Sequence, residues 1–596
     1  MEEKTTGFSN NQDESRVTFI NGNSKKFDQN EGCCYKRSTH ICCILTLFLG
    51  CLSLILGVII LICGESLLTA FVANSLAFSP GSDSLTAWLD PPVQPYLSGY
   101  VFSVNNPEEV MQGAKPVLDE IGPFTYKAVT IKDSVDYDTK KVNLEFNDDG
   151  GETLTYRQRY FYFLDPSQSI GDPEKTFVTV PNIPFLTGLR KIRDMGFGKG
   201  IASNILLNKG RGSPFINVSV SGLLWGYHDD LPCATLTRPD SCGVDEDEVD
   251  LFDEDNEEAE EEDWDWKRKK RSVAEQEEGE KDLRLLDHNS FSKSRMGFVD
   301  CECEWGLFRD RNVSLRKSVT VNTGRMELKR KGWVEQYNGD NQLHWWRPGT
   351  SCDRVGGQDG GTLYPGARME DDLQIFVSLM CRRIGLKFEK NVEHEGINTF
   401  RFVPPPNALG SHDDDDGVRR NEDNECYCMK DQGFDCYQSG VFNMAPCKAT
   451  PDLPTGAPIA LSYPHFYQAH PRYQEAVVGL KPDKEKHQFY VDIVPELGVP
   501  LAIRPRLQLN VVINQDSDIP VMSNLSEELI LPFLWVQDGF SEPGDEMAAQ
   551  VRFVLTAPST LSLLGGVALV LVGGALVLTA LVWKMTVNKQ SVGGRF

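Results

Sequence analysis

Ile41–Cys63 reads ICCILTLFLGCLSLILGVIILIC, 23 residues without a charge, and Leu561–Trp583 supplies a second charge-free run of 23. As a helix rising 1.5 Å per residue, each run extends about 34 Å, enough to cross a hydrocarbon core of roughly 30 Å. A cleaved signal peptide does not fit the first run. Its polar leader is about forty residues long, its apolar stretch exceeds a signal h-region, and no small-residue cleavage site follows. Gly565, Gly566, Gly573 and Gly574 in the second run predict close packing against the first helix or a partner. Lys36 and Arg37 precede the first run, and Lys584, Lys589 and Arg595 follow the second, so both tails are expected in the cytosol. The chain then divides into a tail (1–40), a membrane helix (41–63), an outer domain (64–558), a second helix (559–583) and a short tail (584–596).

The formal charge of −26 is concentrated in one place. Gly243–Asp282 holds twenty Asp and Glu against six Lys and Arg, which contributes −14. The rest is mildly acidic, and no basic face exists to release counterions from phosphates, which excludes a nucleic-acid binder. A long block of like charge with little apolar periodicity predicts a disordered insertion over 244–286. Within it Arg268-Lys269-Lys270-Arg271-Ser272 offers a secretory convertase both charge and extendable backbone, so cleavage after Arg271 is expected. A self-neutralising patch of paired acidic and basic runs is the plainer alternative. The acidic stretch His412–Asp416 fits a calcium loop poorly and reads as a solvated loop.

Sixteen cysteines fall into two groups. Six (Cys33, Cys34, Cys42, Cys43, Cys51 and Cys63) lie in or beside the first helix, where Cys33 and Cys34 are placed for acylation. Ten lie between Cys233 and Cys447, and an even number outside the cell reads as disulfides. Cys301-x-Cys303 and Cys426-x-Cys428 lack the spacing and histidines of a zinc site, so no metal is expected. Asn217, Asn312 and Asn524 begin glycosylation sequons, all between the two helices.

Short β-rich runs dominate the outer domain: Phe124–Ile131, Val142–Phe146, Thr153–Leu164, Val319–Val321, Phe400–Val403, Phe489–Ile493 and Leu507–Ile513. Helical periodicity is clearest in Ser66–Phe78, Asn106–Gly113, Phe185–Asn208 and Leu373–Arg383. The pattern predicts an α+β domain built on a large antiparallel sheet or barrel.

Several blocks share one resemblance. Glu120-Ile121-Gly122-Pro123-Phe124-Thr125-Tyr126 and Leu223-Leu224-Trp225-Gly226-Tyr227 come first. Tyr463-Pro464-His465-Phe466, Gly479-Leu480-x-Pro482, His487, Asp492-Ile493-x-Pro495, Arg506-x-Gln508-x-Asn510 and Pro532-Phe533-Leu534-Trp535 come after them in order. With the two-helix topology, the chain resembles the class B scavenger receptors, the fatty-acid translocase and lysosomal integral membrane protein family. That resemblance implies an antiparallel β-barrel-like core, apical helices and an internal apolar tunnel. It implies the bridges Cys352–Cys426, Cys381–Cys447 and Cys428–Cys436. Cys233, Cys242, Cys301 and Cys303 flank the insertion as extra disulfide candidates with open pairing. Lys209 and Arg211 match basic positions near the family's ligand entrance; an ordinary solvated helix end is the alternative.

For function, the same resemblance implies a receptor for fatty acids, sterols, other amphipathic lipids or lipoprotein particles. Such a receptor is expected to pass lipid through the outer domain to the membrane, with no cofactor. Homo-oligomer formation stays open. An enzyme is disfavoured, since neither a Gly-x-Ser-x-Gly elbow nor a His-Glu-x-x-His helix occurs. An adhesive or phagocytic receptor without lipid transfer is the competing reading. The carboxyl tail lacks an acidic dileucine signal, which favours the plasma membrane over a lysosomal or endosomal membrane.

Overall fold

The computed structural model describes residues 31–133, 146–147, 151–193, 199–207, 212–229, 304–312, 316–414, 417–451, 453–525 and 528–592. The chain forms two compact units, Met1–Ala70 with Thr556–Phe596, and Phe71–Leu555.

In the first unit both apolar runs are helical, inside helices longer than the runs themselves: Glu31–Ser75 and Asp545–Val592. The stretches apolar enough to cross a membrane are Ile41–Val72 and Asp545–Thr586. Glycines bring the two backbones together. A Cβ on Gly57 would lie 2.9 Å from the Gly566 carbonyl oxygen, and one on Gly573 would lie 2.8 Å from that of Gly50. Of the four glycines expected at a contact, Gly566 and Gly573 make it. Gly565 and Gly574 have nothing within 4 Å, because successive helical residues point about 100° apart. Ser53 Oγ adds a bond to the Leu569 carbonyl at 2.9 Å, satisfying a polar group that lipid would leave bare.

The second unit is α+β. Nine antiparallel strands form one sheet, in spatial order Val441–Asn443, Ile459–Ser462, Arg506–Asn514, Glu528–Gly539, Tyr96–Val104, Leu118–Asp133, Thr153–Leu164, Val319–Asn322 and Val334–Tyr337. The end strands are not paired to each other, so the sheet curls without closing into a barrel. Five further antiparallel strands form a second sheet: Leu373–Val377, Arg382–His394, Ile397–Val403, Tyr490–Val494 and Val499–Arg504.

Two central strands escape the sequence patterns. Glu528–Gly539 carries Pro532, which cannot donate to a ladder. The strand tolerates it through a register shift: Asn510 pairs with Pro532 while Leu509 pairs with Leu534, leaving Phe533 as the extra residue. Tyr96–Val104 faces the opposite case: between Gly99 and Val101 its Tyr100 stands against two residues, Gly122 and Pro123, of Leu118–Asp133.

Leu373–Arg383 is a correction. The expected helix is instead a strand, a short 3-10 turn over Ser378–Met380 and the start of the next strand. Leu373 and Ile375 alternate into the core, and pairing with Arg382–Leu386 decides the matter. Phe185–Asn208 is two helices, Ile183–Arg193 and Lys199–Leu207, and Asn106–Gly113 contains only the turn Pro107–Val110. Of Val142–Phe146, only Phe146 is described, bridging Leu154.

Candidate functional site

The strand Arg506–Asn514 is buried on both faces. Leu507, Leu509, Val511 and Ile513 enter the main apolar core. The alternate residues Arg506, Gln508 and Asn510 are also buried, and polar groups so placed need partners. They find them in neighbouring strands and loops, one of them in the block Tyr463–Phe466. The Gln508 amide donates to Ser462 Oγ at 3.1 Å and Asn510 Oδ1 at 2.8 Å, while its Oε1 accepts the His465 backbone N–H at 2.7 Å. The Asn510 amide reaches the Ala460 carbonyl and Ser462 Oγ. Arg506 donates to Gln537 Oε1 and to the carbonyls of Glu485 and Gln488.

His465 ties this strand to the early one. Its Nδ1 accepts the Lys481 N–H at 3.1 Å, so its proton sits on Nε2, 3.3 Å from Glu120 Oε1. Trp535 Nε1 donates to the same oxygen at 2.6 Å. His487 stacks on His465 with 4.3 Å between ring centroids, and Tyr100 stacks on Trp535 at 3.8 Å. Burial pushes the Glu120 carboxyl up, but bonds from His465 and Trp535 outweigh it and hold the group below its ordinary value. Burial and the neighbouring His465 lower His487 to about 4. The chain pays for this convergence in backbone strain: His465, Phe466 and Gln468 all have positive φ, at 53°, 54° and 60°. Asp492 anchors the second sheet similarly, with two bonds from Arg401 at 2.6 Å and His394 Nε2 at 2.8 Å.

Blocks spread over more than four hundred residues thus meet in one hydrogen-bonded frame, as the resemblance implies for a shared fold. The model of one family, CD36, matches residues 48–584. The chain belongs to the CD36 family. It is 27% identical over 537 residues to scavenger receptor class B member 1 of Rattus norvegicus, covering 90% of this chain and 88% of that one. It is 25% identical over 485 residues to lysosome membrane protein 2 of the same species, covering 81% and 82%. With the human lysosome membrane protein 2 the figures are 25% over 468 residues, 78% and 79%. This chain is therefore a CD36-family membrane receptor.

In this CD36-family fold the expected ligand cations, Lys209 and Arg211, lie outside the described residues. The helix pair leading to them is described. Ile183–Arg193 is buried along most of its length and ends in Arg190, Lys191 and Arg193. Its Gly188 seats the second helix: a Cβ there would lie 3.0 Å from Leu206 Cδ2. Arg190, Arg193, Leu186, Leu189, Ile513 and Asp516 help to enclose a cavity of about 30 Å³. Composition alone did not single out these arginines; their signal is three cations in the last turn of an otherwise apolar helix.

The family framework is stapled beside the sheet. The structure holds Cys352–Cys426, Cys381–Cys447 and Cys428–Cys436. Between these bridges Arg382 is buried, its guanidinium 3.8 Å from the Tyr427 ring centre and bonded to Asn424 Oδ1 at 2.9 Å. Cys233, Cys242, Cys301, Cys303 and the Arg271 cleavage site lie outside the described residues, as do the side chains of Cys33 and Cys34. Among the sequons, Asn217 and Asn524 are exposed, and Asn312 is half-buried with Oδ1 accepting the Tyr162 N–H. Among the described residues no group of three or more His, Cys, Asp or Glu is placed to hold a metal.

Proposed function

We propose that this receptor works at the cell surface, captures fatty acids, sterols or lipoprotein-like particles, and passes lipid through its outer domain toward the bilayer. The observation that carries the reading is the helix pair. A nearly wholly buried helix ends in three cations, and its partner holds Ile201 73% exposed. An exposed apolar side chain and positive charge on one helix pair suit an amphiphile with an anionic head. A 30 Å³ cavity admits a water and not an acyl chain, so capture there requires Ile183–Arg193 to move away from Val512–Asn514 and Asp516–Met522, which close its other side. Lys209 and Arg211 would extend the cationic rim. Similarity to scavenger receptor class B member 1 supports the surface assignment, as does a carboxyl tail without an acidic dileucine. Similarity to lysosome membrane protein 2 supports a lysosomal membrane as the second reading.

The deciding experiment measures cell uptake of labelled fatty acid and labelled sterol from a delipidated protein donor. Transfer above that of mock-transfected cells is expected. Particle binding with no transfer would replace this reading with an adhesive or phagocytic receptor.

A further inference from the structure

Away from the helix pair, the outer domain carries a recess of about 490 Å³ lined by Arg330, Trp333, Glu335, Asn341, Gln342, Arg354 and Val355. Its wall is a half-exposed indole in a rigid setting. The Trp333 backbone N–H donates to the Arg330 carbonyl, the Trp333 carbonyl accepts the Asn322 backbone N–H, and the next strand begins at Val334. One guanidinium group lies against the ring. Arg330 lies 5.8 Å from its centre and is aimed by Glu335, whose Oε1 takes both Nε at 3.2 Å and Nη2 at 2.5 Å. Arg383 comes near the same side of the recess: a Cβ on Gly356 would lie 3.2 Å from both Arg383 Nη1 and Trp333 Cζ2, so a side chain there would crowd both. Arg354 is exposed, and its backbone bridges Gln342.

An aromatic face, an exposed arginine beside an ion-paired one and two exposed amides define a ligand chemistry. The ring takes a flat, weakly apolar face. Arginine forks take carboxylate or sulfate oxygens. Asn341 and Gln342 offer donors and acceptors for hydroxyl groups. Val355 is the lone aliphatic side chain in the lining, which gives an acyl chain little to bury against. We propose that this recess binds an acidic saccharide, a pyranose bearing sulfate or carboxylate, with the sugar ring against Trp333 and its anionic group on Arg354. The site is separate from the lipid route proposed above, and it would let the receptor engage acidic glycans of a matrix or a neighbouring cell.

The test uses full-length protein in detergent, titrated calorimetrically with a sulfated hexasaccharide cut from heparin, a hyaluronan hexasaccharide and neutral maltohexaose. Saturable binding of the acidic sugars is expected, with maltohexaose bound less than about one tenth as tightly. Arg354→Glu, an exposed change that spares the fold, should weaken acidic-sugar binding by at least about tenfold. Trp333→Ala should weaken it too, and an unshifted melting temperature would show that folding is not the cause. No binding of either acidic sugar overturns the proposal, as does unchanged affinity in Arg354→Glu or equal binding of maltohexaose. Phosphatidylserine vesicles binding through Arg354 in place of the sugars would also overturn it, assigning the recess to lipid headgroups.

Discussion

The frame around Glu120, His465 and Gln508 and the helix pair Ile183–Arg193 and Lys199–Leu207 are built on opposite plans. In the frame nearly every polar group has a partner, side chains stack at close range, and strained backbone is held in place. The helix pair meets through a glycine and a leucine, displays an exposed isoleucine, and collects cations at one end. Removing a partner from the frame leaves a buried group unsatisfied, which costs more than the bond itself was worth. Altering a charge at an exposed position costs a fold little by comparison. Sequence signatures therefore gather where the fold is fixed, and binding is expected where it is loose.

The largest effect should come from breaking the fixed side covalently. Cys381–Cys447 closes a separation of 66 residues, worth about 4 kcal/mol in the loop-entropy account. Cys381→Ser and Cys447→Ser should each cause retention in the endoplasmic reticulum, read as glycans that stay sensitive to endoglycosidase H. Normal maturation of both variants would contradict the bridge's importance.

A smaller effect is expected from acid. His487 is held neutral in the fold, with its value lowered from 6.5 to about 4. Between those values the unfolded chain binds the extra proton, so stability falls as pH drops from 6.5 toward 4. Glu120 acts in the same direction lower down, since its depressed carboxyl loses its contribution as pH falls through its folded value. Scanning calorimetry should show the melting temperature falling over this window. His487→Asn keeps an acceptor for the Asp483 N–H without the titration, and should flatten the slope. A slope unchanged by that substitution would assign the acid response elsewhere.

The smallest effect on stability, within about 0.5 kcal/mol, should accompany the largest effect on ligand. Charge reversal at both Lys209 and Arg211 should leave surface expression intact and reduce binding of anionic lipid or lipoprotein. The reduction should be strongest at low salt, where the screening length exceeds its physiological value of about 8 Å. Binding by the double variant equal to that of the unaltered protein, at low and physiological salt alike, would remove both residues from the entrance.

How much of this was legible beforehand depended on where each residue's fate is decided. The membrane helices were readable because their apolar runs are long, and the strand Arg506–Asn514 because Leu507, Leu509 and Val511 alternate with other residues. The sheet centre was not: Pro532 and Gly99 each break the local pattern, and the pairing that accommodates them, by a bulge at Phe533 and by regular partners on both sides of Gly99, exists only once neighbours are in place. Leu373–Arg383 satisfies both a helical and an alternating period, and a partner strand chose between them. At the helix pair, the family resemblance pointed to Lys209 and Arg211, whereas Arg190 and Arg193 emerged only from the cavity they line. The Trp333 recess left no linear trace, since Arg330, Arg354 and Arg383 come from separate segments.

The glycine contacts between the membrane helices bear on how this chain can change over evolutionary time. Gly50, Gly57 and Gly64 recur every seven residues, facing Gly573, Gly566 and Ser562. A methyl group at Gly57 or Gly573 would meet backbone oxygen within 3 Å, and backbone cannot swing aside as a flexible side chain can. Most leucines, isoleucines and valines of the same spans point outward, where any residue of similar hydropathy serves. Such spans are free to drift in lineage after lineage, except along one narrow seam where even alanine is too large.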